Sequence, residues 1–144
     1  KKINHDRRYI LVGGGSGCAP LMHFQDQHRD LVAGTAYGFR TPDAGQLLPG
    51  VPIRIESDDG KSAADRAAEI WKPGWGILAC GPEPMLRLLA GRYRGRPDVY
   101  VSLEARIGCG IGTCLGCSIP TTAGPQRICH EGPLFALEEL PWLT

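Results

Sequence analysis

The segment YILVGGGSGCAP, Tyr9 to Pro20, decides the fold. Its first four residues, Tyr9 to Val12, are apolar and rich in strand formers, as a parallel strand buried on both faces requires. Glycines follow at once, at Gly13, Gly14, Gly15 and Gly17. The next stretch, Leu21 to Arg29, offers Leu21, Met22 and Phe24 for packing and reads as a helix. Strand, glycine-rich turn and helix in that order give glycine spacing its meaning. Such a turn lets a pyrophosphate approach the backbone, and the helix start offers unpaired N–H groups and the positive end of a dipole. The run is G-x-G-x-G, not the full G-x-G-x-x-G, so a glycine turn without a ligand stays open on spacing alone.

Outward from this unit the pattern repeats. Leu31 to Phe39 reads as a second strand and Val51 to Glu56 as a third. The alternation of Val51, Ile53 and Ile55 with polar residues puts the third strand nearer a sheet edge. Ser62 to Trp71 reads as a helix with Ser62 as its N-cap and Asp65 in its first turn. Gly76 to Ala79 is a short fourth strand opening into Cys80, Gly81 and Pro82. A helix follows from Pro82 to Ala90 with prolines in its first turn. Val99 to Leu103 is a fifth strand. This alternation predicts an α/β domain over residues 1–103, a doubly wound, mostly parallel sheet that binds ligands at its strand C-termini. Asp58 and Asp59, after the third strand, stand in that region. From Glu104 onward the periodicity stops, which marks residues 104–144 as a second, small domain. It reads as a cysteine-rich loop, two short strands ("SIP", then Gln126 to Cys129) turning around Ala123 to Pro125, and a final acidic helix from Leu134 to Leu140.

The second domain carries Cys109, Cys114, Cys117 and Cys129, separated by four, two and eleven residues. Four then two is the plant-type ferredoxin spacing for a [2Fe–2S] cluster. Gly108, Gly110, Gly112 and Gly116 lie among these cysteines, where the chain must bend sharply and a Cβ would obstruct. Structural zinc usually shows two short cysteine pairs and a longer spacer, whereas here three cysteines crowd one loop. Disulfides suit a secreted chain, and nothing marks this one as secreted. Both stay open as alternatives. The histidines, His5, His23, His28 and His130, share no metal-binding spacing. His130 follows Cys129, as an exposed residue or as a hydrogen-bond partner near the cluster.

The formal net charge of +1 supplies no basic field for nucleic acid. No run of about 18 apolar residues offers a membrane span. Six cysteines with no export signal before the first strand lead us to expect a reducing cytoplasm and cysteines used for metal. No nucleophile–base arrangement stands out.

The segments LVGGGSGCAP, GFR, SDDG, ILACGPEPM and VSLEARIGCGIGTCLGCSI, with RICHEGPLFALEEL behind them, occur in one order. In these the chain resembles the electron-transfer subunits of bacterial NAD-dependent dihydroorotate dehydrogenases, within the ferredoxin reductase-like flavoproteins. The resemblance implies an FAD-binding barrel ahead of Lys1, outside this sequence, either removed from the chain or supplied by another. It implies NAD at Gly13, Gly14, Gly15 and Gly17. It places Asp58 and Asp59 near the adenosine ribose, where carboxylates favour NAD over NADP, and Cys80, Gly81 and Pro82 near the nicotinamide and flavin. It implies a hetero-oligomer with an FMN-containing catalytic subunit that oxidises dihydroorotate, in pyrimidine biosynthesis. Electrons would then pass through [2Fe–2S] and FAD to NAD. Redox chemistry independently calls for the flavin, because nicotinamide carries a hydride and the cluster takes single electrons. The alternatives are an NAD(P)H reductase module of another redox complex and a ferredoxin-like carrier with a vestigial nucleotide fold.

Overall fold

Burial on both faces shapes the central strand. The structure, a computed structural model, describes residues 3–41, 53–55 and 60–143. β1 (Tyr9–Gly14) is buried along its whole length. It pairs in parallel with β2 (Val32–Phe39) on one side and β4 (Gly76–Cys80) on the other. β3 (Ile53–Ile55) continues the sheet beyond β2, and β5 (Val99–Ser102) lies parallel to β4. The order is β3-β2-β1-β4-β5, with a sixth strand, β8 (Leu134–Ala136), beyond β5. Successive strands therefore run outward one way from β1 and then the other way from β4, which leaves a crevice between β1 and β4. The outcome is a mixed α/β fold with a mostly parallel sheet.

Period-two alternation divides the core between the faces. Tyr9 and Leu11 pack with Leu21 of α1 (Cys18–Gln27), together with Tyr37, Phe39 and Leu78. Ile10 and Val12 face the other way. They join Ala63, Ala64 and Ala67 of α2 (Ala63–Ile70) and Leu86 and Leu89 of α3 (Glu83–Tyr93). The α2 alanines let that helix lie close to the sheet. α1 begins at Cys18, three residues before the start expected from the apolar pattern. Pro20 falls in its first turn, where a missing N–H costs nothing.

α2 carries a reciprocal cap, as Ser62 predicts. The Asp65 N–H donates to Ser62 Oγ at 3.2 Å, and the Ser62 N–H donates to Asp65 Oδ2 at 2.9 Å. Arg92 of α3 pairs with Asp65 Oδ1 and donates to the Ala64 carbonyl at 2.9 Å. The Ser62 hydroxyl and then the Arg92 guanidinium hold the Asp65 carboxyl down at about 2. A depressed folded pKa stabilises above the unfolded value, about 3.9, and that contribution is lost as pH falls through about 2. Asp65→Asn should therefore cost about 1 kcal/mol at neutral pH. In urea titrations the gap between wild type and variant should close below about pH 4.

Beyond residue 103 one expectation is overturned. The acidic helix expected at Leu134 to Leu140 is instead β8 (Leu134–Ala136) followed by one 3-10 turn (Leu137–Glu139). β8 runs antiparallel to β5, with Val101 opposite Phe135. The reason is tertiary: β5 would otherwise leave an edge unpaired, and the Pro133 carbonyl draws the chain in by accepting from the Leu103 N–H at 2.9 Å. Glu139 then accepts from the Ala136 N–H at 2.7 Å. Phe135, Leu137, Leu140 and Leu143 enter the same core as α2 and α3. Arg94, just past the end of α3, donates to the carbonyls of Leu140 (3.1 Å) and Leu143 (2.5 Å), and Arg87 of α3 to that of Trp142 (3.0 Å). A separate hairpin, β6 (Ser118–Thr121) and β7 (Gly124–Arg127), follows the cysteine loop. β7 ends at Arg127, so Cys129 stands in the turn beyond it and not in the strand expected there.

Candidate functional site

Two places collect the unusual residues. The first is the turn between β1 and α1. Gly15 to Gly17 form a short 3-10 turn, and neither this turn nor α1 receives a side-chain cap. The first-turn N–H groups are thus free of side-chain partners and suited to an anion. A Cβ on Gly17 would overlap the Cys80 carbonyl and lie 2.6 Å from the Gly81 nitrogen. The turn packs on the end of β4 with no space for a side chain. A cavity of about 410 Å³ opens beside it, lined among others by Gly14, Gly15, Phe39, Arg40, Pro82 and Met85. The glycine turn and Pro82 are brought together here. Asp58 and Asp59 lie outside the described residues.

Cys80 ends β4 and is buried. Its thiol lies 3.7 Å from Glu104 Oε1, and the Ser16 hydroxyl donates to Glu104 Oε2 at 3.3 Å. Burial, then the Glu104 carboxylate, pushes Cys80 up to about 11. Burial takes Cys18 to about 12. Both remain thiols at neutral pH. Glu104 is a residue that the sequence quoted but did not single out. Its 24-residue separation from Cys80 gives no local signal, and only the parallel pairing of β4 with β5 brings them together.

The second place is the cysteine loop. Cys109 and Cys129 are half-buried, Cys114 is exposed, Cys117 is buried, and all six cysteines of the chain are free. Backbone N–H groups point at the sulfurs. Cys114 N–H donates to Cys109 Sγ (3.5 Å), Gly116 N–H to Cys114 Sγ (3.4 Å) and Cys129 N–H to Cys117 Sγ (3.5 Å). The Cys114 and Ile111 N–H groups and the Thr113 hydroxyl hold Cys109 down to about 5. Cys117 is lowered by the Cys129 N–H, while its thiol partner Cys129 is raised. Thiolate is the form that binds metal, so the N–H groups around Cys109 and Cys117 favour the ligating state of those two residues.

The arrangement is two by two: Cys109 with Cys114, and Cys117 with Cys129. Among the described residues, no three Cys, His, Asp or Glu side chains converge as ligands of one metal ion. Two thiolate pairs suit a two-iron cluster and not a single tetrahedral ion. Gly110 and Gly112 hold the left-handed conformation expected of the loop glycines. A Cβ on Gly108 or Gly116 would instead sit 3.5 Å from Cys114 Sγ, against the face a cluster would occupy. Leu115 also has a positive φ, 59°, and is largely exposed. The His130 ring is exposed and meets Glu131, Nδ1 to Oε1 at 3.0 Å, not a sulfur.

A cavity of about 570 Å³ lies beside the cysteine loop, lined among others by Leu103, Glu104, Ala105, Gly110 and Cys129. Glu104 thus borders both the thiol of Cys80 and the opening toward the cysteine loop.

Residues 104–141 match the family described as the iron-sulfur cluster binding domain of dihydroorotate dehydrogenase B. The electron transfer subunit of dihydroorotate dehydrogenase B (NAD(+)) from Geobacillus thermodenitrificans is 36% identical over 92% of this chain. The electron transfer subunit homolog from Aquifex aeolicus is 33% identical over 92% of it. The chain spans 57% of the length of each. Among solved structures, the NADH-dependent reduced ferredoxin-NADP oxidoreductase superposes over 99% of this chain and 56% of its own, with a TM-score of 0.75 at 24% identity. That likeness concerns the fold. The chain is thus similar over most of its length to the electron transfer subunits of dihydroorotate dehydrogenase B, and its cysteine loop falls within the stretch that matches the family described as that enzyme's iron-sulfur cluster binding domain.

Proposed function

We propose that this chain is the electron-transfer part of an NAD-dependent dihydroorotate dehydrogenase, acting in the cytoplasm with an FMN-containing catalytic subunit in a hetero-oligomer. The observation that carries this reading is a four-cysteine loop set behind a nucleotide-type sheet, with Glu104 meeting the Cys80 thiol at the sheet's end and also lining the cavity beside the cysteine loop. Residues 1–103 are the nucleotide-binding part and residues 104–144 the cluster-binding part. Gly13, Gly14, Gly15 and Gly17 cradle the pyrophosphate of NAD, with the uncapped start of α1 supplying N–H groups. Asp58 and Asp59 accept from the ribose hydroxyls. Gly81 and Pro82 border the nicotinamide, and Cys80 stands near it as a neutral thiol whose S–H is directed at Glu104. Glu104 fixes that thiol and the Ser16 hydroxyl.

Cys109, Cys114, Cys117 and Cys129 would hold a [2Fe–2S] cluster, which would supply single-electron transfer, and a flavin would supply the conversion between hydride and single electrons. Ile107, Ile111 and Leu115 are large apolar side chains left 50%, 69% and 62% exposed among the ligands. Leu115 is held in a backbone region that costs a branched side chain roughly 1–2 kcal/mol. A strained, exposed apolar rim around the ligands suits a partner's docking face.

The test is reconstitution of cluster-loaded, FAD-complete protein with the catalytic subunit. Dihydroorotate should then drive NAD reduction, and no coupling would reject the assignment. Leu115→Asp should leave the cluster absorption intact and cut the coupled rate about tenfold, a loss of about 1.4 kcal/mol in docking.

A further inference from the structure

Arg127 joins the two parts of the cysteine set that lie farthest apart in sequence. Its carbonyl accepts from the N–H groups of His130 (3.1 Å), Glu131 (2.9 Å) and Gly132 (3.3 Å), so the turn bearing Cys129 winds around it. Its own N–H donates to Glu131 Oε2 at 2.6 Å. The guanidinium uses both edges. Nε donates to Glu131 Oε2 at 3.0 Å and Nη2 pairs with Oε1, while Nη1 donates to the Gly112 carbonyl at 2.8 Å. Gly112 (φ 82°) leaves no room for more: a Cβ there would lie 3.1 Å from His130 Cβ and 3.2 Å from Arg127 Nη1. One planar fork thus ties the Cys109–Cys114 loop to the Cys129 turn.

We propose that Arg127, held by Glu131, is a positioning residue for the cluster: it fixes the loop at Gly112 against the Cys129 turn and sets the cluster's reduction potential through its charge. This rests on the reading of the four cysteines as cluster ligands. Arg127 lies within electrostatic reach of the Cys117 and Cys129 thiolates. A fixed positive charge there favours the reduced, more negative cluster, and the Glu131 carboxylate offsets it. The two side chains are about 30% and 28% exposed, so solvent screens them only in part.

The opposed charges make the test specific. The chain is loaded with iron and sulfide under anaerobic conditions, and the cluster is titrated by EPR-monitored potentiometry. Arg127→Gln leaves the carboxylate unopposed and should lower the potential, by about tenfold in the one-electron equilibrium, or about 59 mV. Glu131→Gln leaves the guanidinium unopposed and should raise it. Arg127→Lys keeps the charge and loses the fork, so the potential should stay near wild type while the cluster is lost faster to a chelator. Unchanged potentials in both Gln variants, or shifts of the same sign, would overturn the proposal. If Arg127→Gln takes up no cluster, Glu131→Gln and Arg127→Lys decide: a wild-type potential in the first and wild-type chelator resistance in the second would also overturn it. A wild-type chain that takes up no iron and sulfide would instead reject the underlying cluster reading.

Discussion

Cys117→Ser should strip the protein of its colour. Visible absorption should fall below roughly a tenth of wild type, because in the proposed reading four thiolates hold the cluster and a buried serine is a poor substitute. Cys117 is 5% exposed and packs with Ile128 and Phe135 in the main core. Its sulfur also receives the Cys129 N–H, so one substitution disturbs two ligands. Thermal stability should drop to that of wild type without its cluster, and a chelator should lower it no further. The informative control is Cys80→Ser. Cys80 is buried at the end of β4 with Glu104 as its partner, away from the loop sulfurs, and this variant should stay coloured. Absorption spectra with iron and sulfide analysis on both variants check the pair.

Gly17→Ala should do at the nucleotide site what Cys117→Ser does at the cluster. The added methyl has no space against the Cys80 carbonyl and the Gly81 nitrogen. Backbone, not a flexible side chain, must move, so the start of α1 shifts off the end of β4. The strain should cost about 1–3 kcal/mol of stability. NADH binding should weaken at least about tenfold, since the N–H groups proposed to face the pyrophosphate move with the helix. Cluster content should not change. Gly15→Ala makes the comparison sharp. A Cβ at Gly15 meets nothing within 4 Å, and only its positive φ, 57°, resists, at roughly 1 kcal/mol. Fluorescence titration with NADH and thermal unfolding of the two variants separate crowding from backbone strain.

How far the sequence could be read follows from how local each feature is. β1 was legible because a strand buried on both faces must be apolar at every position, and Tyr9 to Val12 are. The cap on α2 was legible because Ser62 and Asp65 act within one turn. The cysteine-rich loop was legible as a loop because Cys109, Cys114 and Cys117 stand close together among glycines, where the periodicity stops. Leu134 to Leu140 was not. Its mixture of leucines and glutamates suits a helix, and only the free edge of β5 turns Leu134–Ala136 into a strand. Cys129 was placed in a strand for a similar reason: the turn wound around Arg127 depends on Glu131 and on Gly112, which is 15 residues away. Glu104 gains its place only when β4 and β5 are side by side. The two-by-two pairing of the sulfurs needed coordinates, because spacing names the ligands without saying which ones meet.

The most direct measurement on the central claim is iron and acid-labile sulfide analysis of the anaerobically reconstituted chain, with EPR after reduction by dithionite. Two irons and two sulfides per chain, with a spin-one-half signal appearing on reduction, is the predicted result. A colourless protein holding one zinc, with no sulfide and no signal, would contradict it.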